Sequence, residues 1–162
     1  MGINWDIRTV DSWGDAGFWN SLALDAQDYP HISYYELSDR DLKYAYQDSQ
    51  GWHLETVDGE GEVGEYNSIT IDQQGQPHIA YWKETASGLE LKYAVKEAGE
   101  WQIQTVAPNV STWPMVHPIL SLALDSQDYP HLGYPGGSLR HAWLGEETSG
   151  FFLYLPLILR SP

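Results

Sequence analysis

The sequence predicts an all-β protein built from repeated four-stranded units, and three observations lead to this fold class. A 14-residue segment occurs three times, beginning at Ser21, Ser68 and Ser121. Inside it, hydrophobic residues alternate with small or polar ones, as they do in β-strands. No stretch of the chain carries the 3.6-residue periodicity of an amphipathic helix. Because the segment recurs at steps of 47 and 53 residues, we expect the chain to repeat a single structural unit.

Each copy of the segment is predicted to form two short strands joined by a tight turn. The three copies are SLALDAQDYPHISY, SITIDQQGQPHIAY and SLALDSQDYPHLGY. Gly75 stands in the second copy where the others have Asp28 and Asp128. Glycine and aspartate are among the residues that best tolerate a positive φ angle. The turn is therefore expected to contain a left-handed residue at this position.

Two further strands complete the predicted unit. The sequence LKYA occurs at residues 42–45 and 91–94, with a divergent copy, LRHA, at residues 139–142. The pattern W-x-[LI]-x-T-V follows at residues 52–57 and 101–106. Four short strands in about 50 residues correspond to one blade of a β-propeller. We therefore predict an all-β propeller of four-stranded blades, with about three blades in the chain.

The repeats predict where each blade and the two terminal segments begin and end. Residues 1–12 contain WDIRTVD, which matches residues 52–58 and is interpreted as an orphan fourth strand that completes another blade. Residues 13–58 are predicted to form the first blade and residues 59–106 the second, with residues 12–20 as a loop. Residues 107–145 would form an incomplete third blade, and residues 146–162 an apolar C-terminal tail.

The blade count predicts how the ring closes. Propellers typically need four to eight blades, so three are too few for one chain. We expect a homodimer that closes a six-bladed ring by strand exchange, in which residues 4–10 of each chain complete the third blade of the other. An alternative is that the tail supplies the missing strand. Its apolar run, residues 151–159, is too short to span a bilayer.

Composition excludes several classes of function. The 162-residue chain has a formal net charge of −15, which argues against binding to nucleic acid or an anionic membrane. It has no cysteine, which excludes disulfides, thiolate metal sites and a cysteine nucleophile. No signal peptide precedes the first predicted strand. The compartment is left open, and a secreted or cell-surface location would require a leader outside this sequence.

The combined pattern S-[LI]-[AT]-[LI]-D-x-x-[GD]-x-P-H-[IL]-x-Y, L-K-Y-A and W-x-[LI]-x-T-V resembles the propeller repeats of bacterial sialidase-like and fucose-lectin-like proteins. The resemblance extends to about Trp143 and implies a propeller fold, but it is specific for the fold and not for a function. The chain departs from sialidases, because residues 48–52 give only a partial Asp-box and the arginine triad and Tyr-Glu pair have no counterpart. The Arg-Glu-Trp sites of fucose lectins do not map directly either.

Aromatic residues beside charged ones indicate where a ligand would bind. In a four-stranded blade, the loops after the second and fourth strands open on one face, and loops often carry function. A sugar can stack on an aromatic ring while its hydroxyls bind polar groups, in a pocket with a few placed polar side chains. The alternative is that the rings only fill the space between blades. The predicted ligand-binding residues are Trp19, Tyr35, Glu36, Arg40, Tyr66, Trp82 and Glu84.

Other candidate sites are interpreted as structural. His31, His78 and His131 occupy equivalent positions, which lie too far apart on separate blades to share a metal, so a repeated structural hydrogen bond is expected. Asp25 and Asp125 are expected to form turns and not a calcium site, which needs six to eight oxygens. The sequence therefore predicts no metal site and no cofactor, and it contains no catalytic motif.

These observations predict a non-enzymatic binding module, lectin-like and directed at carbohydrate. One alternative is a fragment of a longer sialidase-like propeller enzyme whose other blades carry the active site. Another is a structural or protein-interaction scaffold.

Overall fold

The computed structural model describes residues 4–110 and 118–145, and all regular structure in these ranges is β. The strands form three antiparallel sheets in which each strand pairs with the next one along the chain. The first sheet contains β1 (Ala16–Leu24), β2 (Pro30–Glu36), β3 (Asp41–Asp48) and β4 (Gly51–Asp58). The second contains β5 (Glu62–Ile71), β6 (Pro77–Thr85), β7 (Gly88–Glu97) and β8 (Glu100–Val110). The described part of the third contains β9 (Ser121–Leu124), β10 (Pro130–Pro135) and β11 (Leu139–Trp143). The all-β prediction is confirmed.

The first strand of a sheet begins earlier than the sequence predicted. β1 starts at Ala16, so the expected loop over residues 12–20 is partly strand, and β5 likewise starts at Glu62. The pairing of each with its neighbour is irregular, with register shifts near Gly17 and Gly64. Both glycines have positive φ, 101° and 106°. Such bulges break the two-residue alternation from which strands are recognised, which is why the sequence pattern missed these segments.

The tight turns confirm the predicted structural role of the repeated aspartates. The carboxylate of Asp25 accepts hydrogen bonds from the backbone N–H groups of Gln27 and Tyr29, both at 2.8 Å. The carboxylates of Asp72 and Asp125 accept the equivalent pairs in the other two sheets. The predicted left-handed residues are also present, with φ of 62°, 82° and 64° at Asp28, Gly75 and Asp128.

The equivalent histidines make the expected structural hydrogen bonds. His31 Nδ1 lies 2.5 Å from the hydroxyl of Tyr44, and His78 Nδ1 contacts the hydroxyl of Tyr93 in the same way. In the third sheet a histidine replaces the tyrosine, and His131 Nδ1 lies 3.0 Å from His141 Nε2. Each bond ties the second strand of its sheet to the third.

Two hydrophobic cores lie between the sheets. The first joins Leu42, Tyr44 and Val57 of the first sheet to residues of the second, among them Ile69 and Ile79. The other joins the second sheet to the third in the same manner, and its buried members are Ala80, Trp82, Leu91, Tyr93, Val110, Leu120, Leu122, Leu132 and Tyr134. The second sheet is thus covered on both faces, whereas among residues 4–110 and 118–145 no neighbouring sheet covers the outer faces of the first and third sheets.

Hydrogen bonds repeat at the contact between sheets. The Ser21 hydroxyl oxygen accepts from the N–H of Ile69 at 3.2 Å, and the Ser68 hydroxyl oxygen accepts from the N–H of Leu122 at 3.2 Å. These bonds link the innermost strands β1, β5 and β9. The serines that start the first two repeats therefore each hold a strand of the sheet that follows.

A buried carboxylate also bridges the first two sheets. Asp58, at the end of β4, accepts hydrogen bonds from the Tyr81 hydroxyl at 2.7 Å and from Lys92 Nζ at 3.0 Å. Burial alone would raise the pKa of Asp58, but the Tyr81 hydroxyl, the backbone N–H of Glu60 and the Lys92 ammonium together hold it below its ordinary value. The ionised form is therefore the one that joins the sheets.

Residues 4–15 form no strand in the single chain, and the side chains of Trp5 and Ile7 are each 90% exposed. The assignment of residues 1–12 to another blade stays a prediction, as do the other predicted boundaries. The predicted C-terminal tail lies outside the described residues. In the part of the chain that the structure describes, there is no helix that could cross a membrane.

The close approach of β5 to the first sheet gives a test of the packing. A Cβ atom added at Gly64 would lie 2.8 Å from Leu42 Cα, whereas one added at Gly75 would meet nothing within 4 Å. Both glycines have positive φ, so alanine is strained at either position. We expect Gly64→Ala to lower the free energy of unfolding by about 1–3 kcal/mol more than Gly75→Ala, as measured by urea denaturation. Equal losses would show that the two sheets do not pack as closely as described.

A candidate ligand-binding cleft between the first two sheets

The end of β2, the β2–β3 loop and the start of β5 meet at one end of the first two sheets. The backbone N–H of Val63 donates to the carbonyl oxygen of Arg40 at 3.1 Å, which fixes the loop against β5. Aromatic rings gather here, with the Trp19 ring centroid 5.2 Å from that of Tyr35 and 4.8 Å from that of Tyr66. Trp19 and Tyr66 are half-buried, so part of each ring is accessible. We call this region the inter-sheet cleft.

A pair of opposite charges lies at the inter-sheet cleft. Arg40 Nη1 is 3.2 Å from Glu62 Oε2, and the arginine side chain is largely exposed. Glu84, also exposed, is the cross-strand partner of Glu62 on β6. Arg40 has a positive φ of 63°, a conformation that the short loop between β2 and β3 imposes. The exposed guanidinium and carboxylates can donate to and accept from a bound polar molecule.

Tyr35 lies beneath these charges. It is fully buried, and its hydroxyl has no hydrogen-bond partner among residues 4–110 and 118–145. Burial raises its pKa to about 12, the carboxylates of Glu62 and Glu65 add to the rise, and Arg40 opposes them. A buried hydroxyl without a partner is uncommon, because each such group loses its hydrogen bond to water. Tyr35 is therefore a neutral hydrogen-bonding group that is unused within the described chain.

Glu36 has a structural role in this structure. It is fully buried, and its carboxylate accepts backbone N–H bonds from Asp39 at 2.7 Å, Ser38 at 2.9 Å and Asp15 at 3.0 Å. Burial alone would raise its pKa, but the hydrogen bonds from Asp39, Ser38 and Asp15 lower it to about 2. The carboxylate thus holds the β2–β3 loop, which carries Arg40, against the segment before β1.

Trp82 was expected at an exposed face, and in this respect the sequence prediction was wrong. Its side chain is 1% exposed and lies in the core between the second and third sheets. Its indole Nε1 donates to the carbonyl oxygen of Pro118 at 2.5 Å, and its ring packs edge-on against Tyr134. Tyr35 occupies the same position of the repeat in the first sheet. Tyr35 and Trp82 are both buried and each faces the following sheet.

The sequence did not single out Glu62 and Glu65 as site residues. Glu62 begins β5 and pairs with Arg40. Glu65 lies on β5 opposite Trp82, and its carboxylate acts on Tyr35. Glu65 could have been identified by aligning Gly64-Glu65-Tyr66 with Gly17-Phe18-Trp19. In this alignment the second repeat has a carboxylate where the first has a phenyl ring. Within the described ranges, no group of three or more histidine, aspartate or glutamate side chains is arranged to hold a metal ion.

The low pKa of Glu36 predicts a pH dependence. A carboxylate whose folded pKa is about 2, below its ordinary value of 4.5, stabilises the fold fully above about pH 4.5 and loses this contribution as the pH falls through about 2. We expect Glu36→Gln to lower the free energy of unfolding by about 1.5–3 kcal/mol at pH 7, because bonds to a charged acceptor are lost. The difference from the unmodified chain should shrink between pH 4.5 and pH 2 in urea denaturation. Glu84→Gln, at an exposed carboxylate, is the control, and a Glu36→Gln difference independent of pH would contradict the assignment.

No protein-family model matches the chain, and no curated protein matches its sequence. Among solved structures, it is similar to that of a fucose lectin from Kordia zhangzhouensis in complex with methyl-fucoside. The two share 16% identity and a TM-score of 0.52, over 77% of this chain and 91% of the lectin chain. At this level of identity the similarity concerns the fold alone, which is all-β in both proteins.

Proposed function

We propose that the chain is a non-enzymatic carbohydrate-binding module and that a sugar binds in the inter-sheet cleft. The observation that carries this proposal is the half-buried Trp19–Tyr66 aromatic pair at the same end of the sheets as the exposed Arg40–Glu62 ion pair. Apolar ring surface and convergent polar groups together are what a sugar requires, because it presents a C–H face and a rim of hydroxyls.

The chemistry of the cleft residues fits the two sides of a sugar. The rings of Trp19 and Tyr66 offer apolar surface to its C–H face. The Arg40 guanidinium donates through a planar fork, and the carboxylates of Glu62 and Glu84 accept. Tyr35 lies beneath them, fully buried, and its neutral hydroxyl has no partner within the described residues. Glu36 positions the loop that carries Arg40, and Trp82 supports the second sheet from its core, so neither needs to contact the ligand.

The comparison with solved structures supports the ligand class. The similar protein is a lectin, and its structure contains methyl-fucoside. For the present chain we therefore take carbohydrate as the ligand class and a methyl glycoside of fucose as the first probe.

We also propose that the three sheets are blades of a six-bladed propeller closed by a homodimer. Two observations support this arrangement. The cores on either side of the second sheet repeat the same contact, and the outer faces of the first and third sheets lack neighbours among the residues that the structure describes. Three blades are fewer than the four to eight that close a propeller, and two chains supply six.

Binding can be tested by calorimetric titration with methyl-fucoside. We expect Arg40→Ala to weaken binding at least tenfold, because it removes a charged hydrogen-bond donor worth about 1.5–3 kcal/mol. Arg40→Lys should recover only part of the affinity, since lysine keeps the charge and loses the planar fork. Glu97→Gln, at an exposed hairpin end, is the control and should bind as the unmodified chain does.

Two results would contradict the proposal. One is the absence of binding both to methyl-fucoside and to every sugar on a glycan array. The other is binding that Arg40→Ala leaves unchanged, which would place the sugar elsewhere on the chain.

A further inference from the structure

We infer that the first sheet of one copy packs against the third sheet of a second copy, through the same contact that joins neighbouring sheets within the chain. This inference rests on the proposed six-bladed ring and names the surfaces that close it. Each contact would be head-to-tail, and a two-fold dimer would make it twice.

The open face of the first sheet carries apolar residues that are covered in the other two sheets. Leu22 is 59% exposed, whereas its equivalents Ile69 and Leu122 are 6% and 8% exposed. The difference is that β5 packs on the first sheet and β9 on the second, while no sheet packs against β1 in this way among the described residues. Leu24, one step further along β1, is also exposed. Apolar residues equivalent to core residues thus lie on a face that none of the described residues covers.

The third sheet offers the complementary surface. Leu139 is 85% exposed, whereas its equivalents Leu42 and Leu91 are completely buried. Leu42 is covered by the start of β5, where Gly64 has no room for a side chain. The equivalent of Gly64 in the first sheet is Gly17, which has the same positive φ but no atom within 4 Å of an added Cβ. The space beside Gly17 is therefore open to a leucine side chain of a third sheet.

The repeated serine bond supplies a polar partner for the same contact. Ser21 accepts from the N–H of Ile69, and Ser68 accepts from the N–H of Leu122. Continuing the series, the hydroxyl of Ser121 would accept from the N–H of Leu22 in the second copy. Within the described residues, Ser121 is exposed and has no such donor.

The N-terminal segment already lies where a preceding sheet would end. The Asp11 carboxylate accepts from the Tyr34 hydroxyl at 2.6 Å, which reproduces the bond at 2.7 Å between Asp58 at the end of β4 and Tyr81 of the next sheet. Earlier in the segment, Arg8 and Val10 line a pocket together with Trp52 of the first sheet. Residues 5–11 therefore lie against the first sheet as a fourth strand lies against the sheet that follows it.

This placement makes the segment complementary to the third sheet, which has three described strands. On β3 and β7, Ala45 pairs with Leu54 and Ala94 pairs with Ile103. By the same register, Ile7 of one copy would pair with Ala142 of the other. A second copy is favoured over a larger ring, because three copies would give nine sheets and exceed the blade number of typical propellers.

Disulfide trapping tests the register, and the absence of native cysteine gives a clean background. We expect the double variant Ile7→Cys/Ala142→Cys to form a covalent dimer under oxidising conditions that dithiothreitol reverses. The matched control is Arg8→Cys/Ala142→Cys, in which the first cysteine points to the opposite face of the strand. It should yield little covalent dimer.

A second variant tests the apolar face without disturbing the single chain. Leu22→Glu changes a residue that is exposed in the monomer, so β-sheet content by circular dichroism should be unchanged while light scattering reports a monomer. Ile103→Glu is the control, because Ile103 stays exposed on the one sheet that has neighbours on both sides. It should leave the dimer intact.

Three outcomes would overturn the inference: a monomer in the unmodified chain, equal trapping in both cysteine pairs, or a dimer that Leu22→Glu does not weaken. Titration of the unmodified chain with methyl-fucoside tests sugar binding separately from the contact between two copies. A dimer that binds no sugar contradicts only the carbohydrate proposal. A monomer that binds methyl-fucoside contradicts the homodimer and its closing contact and leaves the carbohydrate proposal standing.

Discussion

The structure depends on one contact, the packing of an innermost strand on the face of the preceding sheet. β5 covers the first sheet and β9 covers the second, and each contact combines a buried aliphatic residue, Ile69 or Leu122, with an amide held by the serine of the preceding repeat. A sheet with two apolar faces must bury both, and in this chain another sheet does so. Some of the repeated residues, such as the serines, therefore serve the contact between sheets, while others form the strands and turns within a sheet.

The inter-sheet cleft is a consequence of this contact. Because the start of β5 is hydrogen-bonded to the β2–β3 loop, Arg40 of one sheet meets Glu62 of the next. The buried, ionised Glu36 holds the loop by three backbone bonds, so the position of Arg40 is set by the fold. The cleft residues come from the first and second sheets, so a ligand bound in the cleft would contact both sheets.

Local features were predictable from the sequence, and contacts between repeats were predictable only in part. The turns at Asp25, Asp72 and Asp125 and the histidine–tyrosine bonds follow from short segments whose chemistry is complete within one sheet. The early starts of β1 and β5 were missed, because bulges interrupt the alternation of residues. Trp82 was expected at a surface, since its burial depends on Pro118 and Tyr134, which lie far away in the sequence. The role of Glu62 was missed for the same reason.

The most direct test of this account is hydrogen exchange at three equivalent backbone amides, those of Leu22, Ile69 and Leu122, measured by NMR on the unmodified chain. The structure shows serine hydroxyls bonded to the last two, and the proposed ring supplies Ser121 of a second copy to the first. If one contact repeats around a closed ring, all three amides should be protected to a similar degree. Rapid exchange at Leu22 beside slow exchange at Ile69 and Leu122 would contradict the account, because it would show that the first sheet has no preceding neighbour in solution.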